Sequence, residues 1–258
     1  MSYLKTALWT SALTFAIGIP FPGISAADQP ARSQAQGIED QSKRSAAAVG
    51  MPVYNPPKRG APGGRVGGGT RGPGDDLPTL SVLAPDHIGL TTREQPTLYW
   101  YLSKPTTLPV ELAIIRSLGV QPLSPLLETR IPAPAQAGIQ AIRLADHAVK
   151  LIPGEQYQWY VTLVVKAERR SKDIVAGGFI ERVGPPEAIQ AKLDQAGKAL
   201  VPHVFAETGI WYDAVMTLSE MIEAAPKNVL LRKQRAALLQ QVGLPVVAKY
   251  DLKHPTAD

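Results

Sequence analysis

The chain has 258 residues, a formal charge of +5 and no cysteine, which excludes disulfides, thiolate metal sites, cysteine nucleophiles and a lipid-modified N-terminal Cys. Hydrophobic residues make up 45%, enough to build the core of one or two domains. Gly (22) and Pro (24) exceed the combined share of about 12% usual in globular chains, so part of the sequence is not expected to pack.

Residues 1–27 read as a signal peptide. Lys5 supplies the positive start, and Ala7 to Ile19 is apolar apart from small hydroxyl residues. Pro20, Pro22 and Gly23 break the helix before Ser25-Ala26-Ala27, whose small residues place the cut after Ala27. As a helix the apolar run is ~20 Å long, short of a ~30 Å hydrocarbon core, although an uncleaved anchor is the competing reading. The expected location is periplasmic or secreted, with no transmembrane span in the mature chain. ATP and NAD are scarce there, so no cofactor is expected.

Residues 28–53 lack hydrophobic periodicity and read as a disordered linker. Residues 54–76 form a basic, Gly/Pro-rich extension. Between Gln41 and Gly74 every charged residue is basic: Lys43, Arg44, Lys58, Arg59, Arg65 and Arg71. One reading makes Arg59, Arg65 and Arg71 contacts for an acidic glycan, an anionic surface or an acidic partner; the plainer one is a solvated linker. Nothing in the segment points to nucleic acid.

Residues 77–184 carry short alternating runs between turn residues: Thr79–Leu83, Pro96–Leu102, Val110–Arg116, Leu126–Ile131, Ile139–Leu144, Gln156–Val165 and Ile174–Val183. About seven strands in this length predict an all-β sandwich of immunoglobulin or fibronectin type. Leu98, Trp100 and Leu102 face one way, Tyr99 and Tyr101 the other. Tyr157, Trp159, Val161, Leu163 and Val165 line one side of the sixth strand. The run Leu151-Ile152-Pro153-Gly154-Glu155-Gln156-Tyr157 resembles the Leu-x-Pro-Gly-x-x-Tyr entry to a late strand of fibronectin-type domains, where the Tyr hydroxyl ties down the corner.

Residues 185–246 switch to helical period. Ile189, Leu193, Ala196 and Leu200 form one stripe, interrupted by Pro202. Trp211, Val215, Leu218 and Ile222 form a second. Leu231, Arg235, Leu238 and Val242 form a third, capped by Asn228 and stopped by Gly243 and Pro245. Gly209 opening a helix, Ala214 inside it, and Pro226-Lys227-Asn228 after it resemble a tetratricopeptide repeat. The next such glycine, Gly243, lies one 34-residue period later. Pro202 spoils the preceding helix, leaving a tetratricopeptide-like hairpin unit. Residues 247–258 read as a frayed polar tail.

Signals for chemistry are sparse. Gly67-x-Gly69-x-x-Gly72 matches a dinucleotide fingerprint and Gly64 to Gly69 nearly a P-loop, but Thr70 stands where the Lys belongs and neither flanking strand nor helix is present. The four histidines, His87, His147, His203 and His254, stand in no metal-ligand spacing, so no metal site is expected. Asp86-His87 and Asp146-His147 read as turns. Glu207, Asp213 and Glu220 lie close in sequence, which a solvated helix face explains better than a carboxylate pair. No catalytic residue is assigned. Tyr99, Tyr101 and Tyr160 point away from the inner face, either beneath the helices or as an exposed patch for a sugar or a protein. Trp211 and Tyr212 read as the joint between helices and sheets, and as further candidates for the binding surface.

Four stretches carry a family resemblance. They are Tyr54-x-Pro56-Pro57-x-Arg59-Gly60-Ala61-Pro62, Gly67-Gly68-Gly69-Thr70-Arg71-Gly72, Pro96-Thr97-Leu98-Tyr99-Trp100-Tyr101 and Gly209-Ile210-Trp211-Tyr212-Asp213. Together they resemble the domain of unknown function 928 family, secreted proteins mainly of cyanobacteria. The likeness spans Tyr54 to Leu244. It implies an extracytoplasmic protein and brings no activity or catalytic residue. It also implies that the chain is ordered from about Tyr54.

The expected function is a non-enzymatic binding or adaptor protein of the cell envelope with an envelope protein as partner. The alternative is a glycan- or polymer-binding module using an exposed aromatic face. A carboxylate-based hydrolase stands third.

Overall fold

The alternating runs and the 3.6-period runs fold as two successive layers of structure in a computed structural model that describes residues 50–57, 65, 77–118, 121–184 and 187–253. The signal peptide, most of the linker, Arg59, Arg71, the Gly-rich run and His254 lie outside the described residues.

Among the described residues eight strands form two sheets: β1 (Leu80–Val82), β2 (Gly89–Thr91), β3 (Thr97–Leu102), β4 (Val110–Leu118), β5 (Gln121–Ile131), β6 (Gly138–Arg143), β7 (Gln156–Leu163) and β8 (Ile174–Arg182). One sheet has the order β1-β3-β6, the other β2-β8-β7-β4-β5, and every pairing is antiparallel except β2 with β8. In β7 the alternation is clean: Tyr157, Trp159, Val161 and Leu163 are fully buried, and the intervening residues are half-buried. Strand β3 is buried on both faces, because helices cover the side that carries Tyr99 and Tyr101.

Two strand expectations need correction. Three-residue β2 is not among the expected strands, being too short to show a period. Strand β5 begins at Gln121 rather than Leu126. Pro122 and Pro125 hide its first half, but the strand lies at the sheet edge and its register with β4 is shifted by bulges, both of which tolerate proline.

Five α-helices follow among the described residues: α1 (Glu187–Gln195), α2 (Val201–Glu207), α3 (Trp211–Ala224), α4 (Val229–Gln241) and α5 (Pro245–Lys253). Pro202 does not interrupt a helix; it sits in the first turn of α2, where its missing N–H has no acceptor to lose. Asn228 caps α4, its side chain accepting from the Leu230 N–H at 3.1 Å. The expected frayed tail after Val246 is instead α5. Pro245 starts it, and Val247, Ala248 and Asp251 are buried against α4. Helix α3 packs on β2 and β3, and α5 on β6, so one continuous core runs from the sheets into the helices.

Candidate functional site

The segment Gly209 to Asp213 ties the helices to the sheets residue by residue. Gly209 turns the chain at φ +79°, and a Cβ there would lie 2.9 Å from the Asn55 carbonyl oxygen. Trp211 is fully buried and its Nε1 donates to the Leu83 carbonyl at 2.9 Å. The Tyr212 hydroxyl accepts from Trp159 Nε1 at 2.9 Å and donates to the Phe179 carbonyl at 2.9 Å. Gly89 makes room for that ring, since a Cβ at this position would fall 2.6 Å from Tyr212 Cε2. The Asp213 carboxylate, fully buried, accepts from the Thr91 hydroxyl (2.5 Å), the Thr92 N–H (3.0 Å) and the Thr92 hydroxyl. Burial pushes its carboxyl above the usual range, and the threonine donors work against that shift. Trp211 and Tyr212 are therefore the joint and present no outward surface.

Residues 50–57 lie along the helices with no regular secondary structure of their own. Tyr54 is buried, edge-on to Trp211 at 5.0 Å and stacked on His87 at 5.8 Å, with its hydroxyl 2.8 Å from His87 Nε2. The linker therefore ends earlier than expected, since Pro52 is also buried. Arg65 is no free cation. Its Nη1 donates to the carbonyls of Ala84 and Val242, both at 3.0 Å, and its Nη2 to that of Gly243 at 3.1 Å. It thus satisfies carbonyls at the C-terminal end of α4 and ties them to the turn after β1. Burial lowers its pKa, opposed by Asp86.

A cleft of about 780 Å³ opens between the β6 side of the smaller sheet and helices α3, α4 and α5. Its floor carries Tyr99, Ile139 and Ala141, and its helical wall Ser219, Glu223, Arg232, Arg235, Tyr250 and Asp251. Arg235 grips Asp251 with two nitrogens, Nε to Oδ2 at 2.8 Å and Nη2 to Oδ1 at 2.6 Å, while its Nη1 donates to Ser219 Oγ at 2.9 Å. Arg232 Nη1 reaches the same carboxylate at 3.2 Å. Tyr99 lies beneath: burial, then the Glu223 carboxylate, pushes its phenol up to about 12, opposed by a hydrogen bond with Ser219. Tyr101 is buried edge-on to Tyr250, with ring centroids 5.1 Å apart.

Strand β6 gives this cleft an open backbone edge. The Leu144 N–H donates to the Pro96 carbonyl and so continues the β3–β6 ladder. Ile142 and Gln140, in phase with Leu144, face β3, and the N–H and C=O groups of Ile139 and Ala141 turn away from it. In the order β1-β3-β6 that side is the edge of the sheet.

Of the aromatic candidates, only Tyr160 lies on an outer face that is partly open. Its ring rests on Gly177, where a Cβ would come within 2.4 Å of Cδ1, and its hydroxyl donates to Gln158 Oε1 at 2.6 Å. Glu207 and Glu220 are exposed while Asp213 is locked in the joint, so the three carboxylates share no environment. Among the described residues no group of three or more His, Asp or Glu is placed to hold a metal ion. No helix among them is long and apolar enough to cross a membrane. The cleft residues escaped the sequence reading except for one signal: Arg235 stands in an otherwise apolar stripe, as a buried ion-pair partner does.

Two sheets and a helical layer joined through a Gly-x-Trp-Tyr-Asp segment define a two-part protein with one shared core. The chain belongs to the family Domain of Unknown Function (DUF928), whose model matches residues 66–252, the joint and the cleft included. Among curated proteins none matches the chain.

Proposed function

We propose that this is a non-enzymatic binding and adaptor protein of the cell envelope, exported by the leader read in residues 1–27 and acting in the periplasm or outside the cell. The observation that carries the reading is the cleft. An open strand edge at Ile139 and Ala141 borders a cleft that is also lined by ordered charged side chains, an arrangement suited to accepting an extended segment of a protein partner as an added strand. The reading extends to the finer architecture. The sheet orders, with the Tyr157 hydroxyl accepting from the Ile152 N–H at 3.0 Å, support a fibronectin- or immunoglobulin-like sandwich. Gly209 and Gly243, both at positive φ, support tetratricopeptide-like hairpins.

The test compares the exported chain with Ala141→Pro as baits for solubilised envelope. Proline removes the outward N–H at an edge position that tolerates it. Retention of one defined partner by the parent and its loss in the variant, at unchanged Tm, is the expected result; equal retention removes the cleft from the account. Glycan binding is the second reading, favoured by the half-buried Tyr160 ring, which packs against Gly177 on an outer face of the sheet. It predicts polysaccharide retention that Tyr160→Ala abolishes.

A further inference from the structure

The helical layer holds a second groove, apart from the cleft, and the chain's own residues 50–57 fill it. The contacts follow a pattern used to read an extended peptide. The Gln241 side-chain amide brackets one stretch of backbone, Nε2 donating to the Pro52 carbonyl at 3.0 Å and Oε1 accepting from the Tyr54 N–H at 2.8 Å. Gln234 Nε2 and His203 Nε2 both reach the Gly50 carbonyl, at 3.1 and 2.9 Å. A carbonyl only accepts, so Nε2 of His203 carries the proton. At the other end the Asn55 N–H donates to the Ala206 carbonyl and Asn55 Nδ2 to that of Glu207, both at 3.1 Å, satisfying groups at the end of α2.

Apart from that of Asn55 Nδ2, these contacts are to the main chain of the segment, and fix an extended backbone without choosing its sequence. Selectivity comes from two side-chain positions. The Tyr54 ring fills a slot between Trp211 and His87, and its hydroxyl has a partner there. Pro57 sits against Gly209, where a Cβ would be 3.3 Å from its Cδ. The family match adds an independent observation. Residues 66–252 contain every groove residue named here and none of the occupant.

We propose that this groove is a peptide-recognition site for an extended segment carrying Tyr-Asn-Pro-Pro, occupied in cis by residues 50–57 and able to take the same chemistry in trans when that segment is displaced. Tyr54 is the anchor and Gln241 the backbone clamp.

The test uses the full chain and a fluorescent synthetic peptide of residues 50–65, followed by anisotropy. In Tyr54→Ala the cis segment loses its anchor. The peptide is expected to bind this variant saturably at one per chain, at least about tenfold tighter than it binds the parent chain, whose own segment competes. Adding Gln241→Ala to Tyr54→Ala, or replacing the tyrosine of the peptide by alanine, is expected to weaken binding by about tenfold again. If Tyr54→Ala does not melt cooperatively, Asn55→Ala, which removes only the exposed bond from Asn55 Nδ2 to the Glu207 carbonyl, is titrated in its place. Absence of saturable binding to a folded opened variant, or binding indifferent to Gln241 and to the peptide tyrosine, overturns the proposal. Neither result bears on the β6 cleft, which lies against other residues.

Discussion

Asp213, in the first turn of α3, and Thr91, at the end of β2, are joined by a hydrogen bond of 2.5 Å across 122 residues of sequence. With the two contacts from Thr92, this makes a buried carboxylate the fastening between helices and sheets. Asp213→Ala leaves those donors without a partner and is expected to lower stability by about 2–4 kcal/mol, measured by denaturant unfolding. Asp213→Asn keeps an acceptor and loses the charge. Because burial raises the carboxyl pKa in the folded state, the group's contribution is fully present below the unfolded value of about 4 and is lost as pH rises through the folded value. The stability of the parent relative to Asp213→Asn should therefore fall as pH rises above about 4.

The Arg235–Asp251 pair is almost wholly buried, with side chains 7% and 2% exposed. Removing one partner strands a buried charge. Asp251→Ala is expected to cost about 3–5 kcal/mol, whereas replacing Asp251, Arg235 and Arg232 together by apolar residues of similar volume should cost much less, since Arg232 holds the same carboxylate. A thermal melt of the single and triple variants separates these outcomes.

Tyr99 brings a loss of stability at alkaline pH. Its pKa is raised to about 12, so its contribution is intact below the unfolded value of about 10 and disappears as pH climbs through 12. Chemical denaturation at pH 9, 10 and 11 should show stability falling, and Tyr99→Phe should flatten the decline.

At the joint, Gly89 is held to glycine by the Tyr212 ring. Gly89→Ala is expected to destabilise by about 1–3 kcal/mol, and pairing it with Tyr212→Leu should recover part of that loss.

Much of this architecture was legible in the sequence. The alternation in Thr97–Leu102 and Gln156–Leu163, and the stripes beginning at Trp211 and Leu231, are direct consequences of burial on a defined face. What alternation does not reveal is what covers the second face. Tyr99 and Tyr101 alternate like an exposed aromatic set, yet lie buried beneath helices whose residues come more than a hundred positions later. The cleft shares that difficulty, since 135–141, 219–223 and 232–253 meet only in three dimensions. Residues 50–57 carry no period because their backbone is held by side chains such as Gln241 rather than by a ladder. Helix α5 was missed because its fully buried residues, Val247, Ala248 and Asp251, make too short an apolar stripe, one of them being charged.

The most direct test of the adaptor reading is photo-crosslinking in intact cells, with a photoreactive residue in place of Ala141 at the β6 edge and, as a control, of Val229, exposed at the start of α4. The account predicts a discrete protein adduct from position 141 and none from 229. No adduct at 141, or the same adducts from both positions, would contradict it.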